Sequence, residues 1–321
     1  MSPSASASQS RMKAARVHQY GAPDVITLET VDRPVPAADE VLVRVEAAGV
    51  GPWDAWIRAG KSAMPQPLPL TLGSDLAGIV EAVGTDVAAV QPGDRVFGVT
   101  NPRFVGAYAE YATAKAGTIA TAPRKLDAVE AAAVPVIAVT AWQALFEKAH
   151  LTRGQRVLIH GGAGNVGAFA VQLARWAGLS VVATASARDA PYVRCLGAER
   201  VVDYRAEAFD SVVRGVDAVI DLVGGDTQRR SFATLKRGGH LISAVAPPDQ
   251  ALAAEFGVSA EFFLVEVTTE RLTRIAALLD SGALRLIVGA VLALADARTS
   301  HEMLEGVRPH PRGKIVLRIG G

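Results

Sequence analysis

The residues with the plainest chemistry in this chain are glycines. Gly162, Gly164 and Gly167 stand at G-x-G-x-x-G spacing, with Ala163, Asn165 and Val166 between them. Such spacing suits a phosphate cradle: one glycine for a tight turn, one for close approach of backbone to a pyrophosphate, one for close packing of helix on sheet. Unpaired N–H groups and the positive end of a helix dipole would face the phosphates. With 30 glycines in the chain a chance match is easy, so the flanks must decide. Val157 to Ile159 is an apolar run that reads as a buried strand. After the glycines, Phe169, Val171, Leu173 and Trp176 recur at helical spacing until Gly178, and a β-branched run from Val181 to Thr184 follows. Strand, glycine turn, helix, strand is the βαβ unit that carries a dinucleotide.

The end of the second strand selects the dinucleotide. Sites for NAD usually place an acid about 20 residues past the first glycine, where it holds the ribose 2′-OH. Here the segment reads Ala183, Thr184, Ala185, Ser186, Ala187, Arg188, without an acid. Ser186 and Arg188 can instead donate to a 2′-phosphate. Hydrogen bonds to a charged group contribute roughly 1.5–3 kcal/mol each, so two of them favour NADPH by about a hundredfold or more. Asp189 is the competing acid, but it lies beyond the usual position and suits a helix cap. The expected cofactor is NADPH.

The elements that must position these residues follow from the rest of the chain. From Met12 to about Val50, short apolar–polar alternations (KAARVHQY, VITLETV, EVLVRVEAAGV) are punctuated by Pro, Gly and Asp, which predicts antiparallel strands. Residues 72–99 continue in that style, with turns at Gly84 and Pro92-Gly93-Asp94. Around Val129 the pattern changes to helical periods, and from Arg156 strands alternate with helices. Later strands are expected at Arg200 to Tyr204, Ala218 to Leu222 and His240 to Val245, with an edge strand at Phe262 to Glu266. Thr269 to Leu279 reads as a helix and Gly313 to Ile319 as a last strand. A β-rich half therefore precedes a doubly wound α/β half, and the end of the chain returns to the first. The expected boundaries are a disordered tail at 1–11, a catalytic domain at 12–137, a dinucleotide-binding domain at 138–266, and a return at 267–321.

Composition excludes several classes. A net charge of +1 leaves no footprint for nucleic acid. The apolar run from Ala131 to Phe146 is too short and too interrupted, by Pro135 and Gln143, to span a membrane. Residues 1–11, MSPSASASQSR, lack the apolar core of a secretory signal. One cysteine, Cys195, excludes an intramolecular disulfide framework and suits a reducing, cytoplasmic compartment.

From Met12 onward the chain resembles the medium-chain dehydrogenase/reductase superfamily, in its zinc-independent quinone oxidoreductase (zeta-crystallin-like) branch. The resemblance rests on GSDLAGIVEAVG (73–84), PGDRVFG (92–98), GAYAEY (106–111), VVDYRAE (201–207), DLVGGDT (221–227) and GKIVL (313–317). Most specific is the stretch from Gly154 to Arg175, where Gly154, Gln155, Leu158, Gly162, Ala163, Gly164, Gly167, Gln172 and Arg175 all fit the branch's signature. Asn165 departs, standing where the branch usually has glycine, and an Asn at a helix start can cap it. The resemblance implies a GroES-like catalytic domain, a Rossmann domain with a doubly wound parallel sheet, a cleft between them, and a homodimer formed through the edge of the Rossmann sheet. It also implies cofactor contacts from Thr140 toward the nicotinamide and from Tyr204 near the 2′-phosphate. Val223-Gly224 and Ala244-Val245 follow Rossmann strands, where the crevice is expected. Lys314 could reach the cofactor cleft or solvent.

No metal is expected. Zinc-dependent members of the superfamily carry a Cys where this chain has Gly51, and Gly-His-Glu where it has Gly73, Ser74 and Asp75. The six histidines are scattered without ligand spacing, and His160, just ahead of the glycines, reads as a satisfied strand residue. Without a Lewis acid for an alkoxide, alcohol oxidation is disfavoured. Quinones and α,β-unsaturated carbonyls suit the site better, because the incoming charge delocalises onto oxygen. Two alternatives stand beside quinone reduction: reduction of the C=C bond of enones or alkenals, and a crystallin-like protein that binds NADPH without turnover. The branch's N-x-x-D-x-Y-x-R-x-G segment corresponds to Gly51 through Gly60; Asp54, Arg58 and Gly60 match, while Gly51 and Trp56 depart. Gly51, Trp53, Asp54 and Trp56 are the candidates for the substrate cleft. The two tryptophans suit stacking on a flat acceptor or core packing, and Asp54 and Arg58 suit substrate contact or a structural pair.

Overall fold

The structure is a computed structural model that describes residues 10–62, 64 and 66–320. The chain forms two compact units. The first takes the described residues through Pro135, then Val267–Ala276 and the residues from Ile287 on; the second takes Val136–Glu266 and Ala277–Leu286. The return at 267–321 is thus not one piece. Gln172, buried on the helix Asn165–Trp176, both donates to the Arg285 carbonyl and accepts from the Arg285 N–H, each at 2.9 Å, which ties this stretch to the second unit. Of the expected tail, residues 1–9 lie outside the described residues. Arg11 departs from it, opening the strand Arg11–Val17 opposite Asp32, with its guanidinium 3.5 Å from that carboxylate.

The first unit is organised on one long strand, Glu40–Val50, which pairs antiparallel with Asp75–Val83, Tyr111–Lys115 and Lys314–Arg318. The last strand of the chain therefore closes the sheet that the first third builds. Val41, Val43 and Val45 enter one core with Leu76, Val80, Val96, Ile315 and Leu317; each such side chain contributes roughly 1.5–3 kcal/mol on burial. At Val50 the strand stops. Gly51 is still extended, and Pro52 occupies the first position of the helix Pro52–Arg58, where its missing N–H leaves no helical bond unmade.

The second unit holds a six-stranded sheet in the order Arg200–Asp203, Ser180–Ala185, Arg156–Ile159, Val216–Asp221, Leu235–Ser243, Ser259–Phe262. Every neighbouring pair is parallel. This is a Rossmann order, and its switch point lies between the first strand of the unit, Arg156–Ile159, and the fourth, Val216–Asp221. The edge strand falls earlier than the apolar run at 262–266 predicts. Ser259 pairs with His240, so the partner strand runs out at Ser243, opposite Phe262. Leu264 is then exposed. The run at 131–146 is broken between the helices Ala128–Ala132 and Pro135–Trp142, and among the described residues no helix is long and apolar enough to cross a membrane.

Candidate dinucleotide and substrate sites

In the second unit the glycine turn follows the strand Arg156–Ile159 directly. The left-handed residue is Gly161, at φ +68°, one position ahead of the expected G-x-G-x-x-G set. Gly162 instead permits a close approach. A Cβ there would meet the Ala183 Cβ at 2.9 Å and Val193 at 3.2 Å, so the turn lies flat on the second strand and its helix. Gly167 performs the packing role expected of it. A Cβ on it would stand 2.1 Å from the Gly161 carbonyl oxygen, and that carbonyl accepts from the Gly164 N–H at 2.9 Å. Asn165 does not cap the helix: Gly164 is the N-cap, Asn165 is the first helical residue, and no side chain caps the first turn. The amides of Asn165, Val166 and Gly167 stand at the positive end of a 12-residue helix beside an intermediate Ala163 and an exposed Gly164, a cradle that fits a pyrophosphate.

His160 and Thr184 fix this turn from beneath. The imidazole is buried, with Nδ1 3.1 Å from the Thr184 hydroxyl and Nε2 2.9 Å from the Ser231 hydroxyl. Burial pushes its pKa down to about 4, so the ring is neutral at neutral pH. Thr184 in turn accepts the Gly161 N–H on its hydroxyl at 3.2 Å and the Gly162 N–H on its carbonyl at 2.9 Å.

At the end of the second strand the competing acid, Asp189, folds back onto the loop instead of capping the next helix. The loop bends so that the Ser186 hydroxyl, itself buried, donates to Asp189 at 2.8 Å, while the Asp189 N–H returns to the Ser186 carbonyl at 2.9 Å. Asp189 occupies the N-cap position of the helix Ala190–Leu196 yet makes no side-chain cap there. The Arg188 guanidinium lies 3.4 Å from the same carboxylate and its side chain is 87% exposed. Tyr204 sits beside this loop, since its N–H donates to the Ala185 carbonyl at 3.3 Å, and its ring is exposed.

A residue that the sequence reading passed over organises the crevice at the other strand ends. Asp221, fully buried at the end of its strand, accepts from the Val223 N–H at 3.1 Å, the Gly224 N–H at 2.8 Å, Gln228 Nε2 at 2.9 Å and the Ser243 hydroxyl at 2.9 Å. Ser243 passes the constraint on, accepting the Val245 and Ala246 N–H groups at 3.2 Å. The signal was available: Asp221 ends an apolar strand and Ser243 ends the next, where short polar side chains hold loop amides. Val223 and Val245 remain exposed above this network, and the Gly161 Cβ position lies 3.5 Å from the Val223 side chain, so turn and crevice loops adjoin. Ala244 is half-buried between them. Thr140 is not among the free donors; it is buried, and its hydroxyl donates to the Val136 carbonyl at 2.7 Å.

In the first unit the substrate-cleft candidates separate. Gly51 is buried, and a Cβ on it would fall 2.3 Å from the Trp53 ring, so glycine is what lets that indole lie across the helix start. Trp53 donates to the Ser74 hydroxyl at 2.9 Å, and the Lys314 ammonium lies 4.4 Å from its ring centroid. Lys314 is buried in this unit, 3.2 Å from Asp75, and so does not extend to solvent. Asp54 and Arg58 do not pair with each other. Asp54, fully buried, accepts from the Gly51 N–H at 2.8 Å and the Tyr108 hydroxyl at 3.1 Å, while Arg58 donates to the Gly21 carbonyl and to Glu305 and meets His301. Burial raises Asp54 to about 7, against the opposing pull of the Gly51 N–H and the Lys314 charge. Trp56 is 50% exposed and so is not core packing. Ser74 and Asp75 are thus engaged by Trp53 and Lys314, Gly51 has no side chain, and among the described residues no cluster of three His, Cys, Asp or Glu could hold a metal.

Comparison with known proteins bears on this geometry. Residues 37–124 match the alcohol dehydrogenase GroES-like domain, and residues 196–317 match a family described as zinc-binding dehydrogenase. Quinone oxidoreductase from Sus scrofa is 35% identical over 97% of this chain and 99% of its own. The 2-methylene-furan-3-one reductase of Solanum lycopersicum is 36% identical over 74% of this chain and 64% of its own. The structure of Escherichia coli quinone oxidoreductase complexed with NADPH superposes with a TM-score of 0.85 at 28% identity, covering 95% of this chain and 99% of that one.

Proposed function

We propose an activity for this chain from the premise that it belongs to the medium-chain dehydrogenase/reductase superfamily, within its quinone oxidoreductase branch. It is an NADPH-dependent, metal-free reductase that passes hydride to quinones or related conjugated carbonyls, acting as a homodimer. The observation that carries the reading is the pairing of a built phosphate cradle with a first-unit donor set already engaged by protein groups. Gly161 to Gly167 leave an uncapped helix start free for a pyrophosphate, while Ser74 holds Trp53 and Asp75 holds Lys314. NADPH, when bound, supplies a hydride. The helix-start amides would hold its pyrophosphate, and Ser186, Arg188 and Tyr204 would stand at the adenosine end. Asp221, through the Val223-Gly224 loop and Ser243, keeps the crevice loops in one arrangement before binding. Trp56 offers an exposed aromatic face to a flat acceptor and, with only an indole N–H, supplies no acid, so this side chain would not be the proton's source.

Oxidation of NADPH against a panel of quinones, enones and alcohols tests this. Turnover of quinones is the expected result, and turnover of alcohols alone would refute it. The similarity to the tomato reductase favours a second reading, reduction of enone C=C bonds, which the same panel separates by substrate. Stoichiometric NADPH binding without turnover would mark a binding protein instead. Ser259–Phe262 is one of the two edge strands of the parallel sheet, the one through which two copies would pair, and sedimentation of the purified chain would check the dimer.

A further inference from the structure

We infer that Asp189 is the specificity-determining residue at the adenosine end, and that it narrows the preference for NADPH enough to admit NADH. The inference rests on the dinucleotide reading above. In parallel α/β sheets of this order, the loop after the second strand reads the ribose 2′ position. Here that loop carries two donors, Ser186 and Arg188, and both already face one carboxylate: the Ser186 hydroxyl at 2.8 Å and the Arg188 guanidinium at 3.4 Å from Asp189. The backbone closes the same arrangement, with the Asp189 and Ala190 N–H groups both on the Ser186 carbonyl at 2.9 Å. The neighbouring acid, Asp203, has a different partner, the Arg205 N–H at 3.1 Å.

A 2′-phosphate entering this loop must compete with Asp189 for Ser186 and Arg188, and the carboxylate repels it. In a partly solvated site, a neighbouring like charge opposes the phosphate by an amount that corresponds to roughly tenfold in affinity. A 2′-hydroxyl meets the opposite situation. It carries no charge, and the carboxylate can accept its hydrogen. Arg188, which is largely exposed, can turn toward a phosphate with little loss of packing, so NADPH still binds. The loop is thus an acceptor for one cofactor and, once Asp189 is turned away, a donor pair for the other.

Fluorescence titration of the full chain with NADPH and with NADH, for the wild type, Asp189→Asn and Asp189→Ala, tests this, with a melting curve on each variant to confirm folding. Both variants should bind NADPH about tenfold more tightly, and NADH equally or a few-fold more weakly. If NADPH binds the wild type and the ratio of the two dissociation constants stays within twofold in both variants, Asp189 has no such role and the cofactor reading survives. If none of the three proteins binds either nucleotide, the inference and the reading it rests on fail together.

Discussion

Replacing Gly167 by alanine tests the cradle most directly, because the clash it creates is backbone on backbone. The new Cβ would sit 2.1 Å from the Gly161 oxygen and 2.9 Å from both the Gly161 carbonyl carbon and the Gly162 Cα. Ordinary contact begins near about 3.4 Å, and none of these atoms belongs to a side chain that can rotate away. Either the helix lifts off the turn or the turn moves. Overpacking of this kind costs about 1–3 kcal/mol, whereas the better helix propensity of alanine returns only about 0.5–1 kcal/mol. The net destabilisation should lower the melting temperature by a few degrees. The effect on binding should be larger than the effect on folding. A displaced turn loses at least one charge-assisted hydrogen bond to phosphate, about 1.5–3 kcal/mol, so NADPH affinity should fall ten- to a hundredfold. Nucleotide titration beside a thermal melt gives both quantities. An alanine variant that binds NADPH as the wild type does, or that melts higher, would show that the overlap is relieved and that the packing argument is wrong.

Asp221→Asn places an NH₂ among four donors, and should weaken NADPH binding while leaving melting less affected, which calorimetric titration would show. Asp54 is raised by burial from 3.8 to about 7, so the fold binds a proton that the unfolded chain releases. Its stabilising contribution is full below the unfolded pKa and is lost as pH rises through 7. Asp54→Asn should therefore gain stability relative to the wild type between pH 5 and 8 by chemical denaturation; parallel curves would exclude the assignment. Lys314→Met removes the ammonium beside the buried Asp75 carboxylate and should cost about 3–5 kcal/mol, much of it recovered by adding Asp75→Asn. Trp56→Ala should leave stability nearly unchanged, since the ring is half exposed, yet raise KM for a naphthoquinone several-fold, while Trp56→Tyr should alter enone kinetics more than quinone kinetics.

Patterns local in sequence were legible without coordinates. The βαβ unit around Gly162 and the antiparallel style of the first third follow from periodicity and turn residues, because those signals act between near neighbours; the return of the chain's end to the first half came from the order of the elements. The family resemblance added the site positions near Thr140, Tyr204 and Lys314. What only the tertiary structure decided concerns where polar side chains spend their hydrogen bonds. Gly161, not Gly162, takes the left-handed turn, since the turn must lie flat against Ala183. Asp189, read as beyond the usual position and as a helix cap, folds back onto Ser186 because a loop can bring residues three apart within hydrogen-bond reach. Lys314 turns inward to an acid that precedes it by most of the chain, and Asp54 and Arg58 part company for the same reason. Burial makes each such group take whichever partner the fold brings near, and spacing along the chain does not determine that partner.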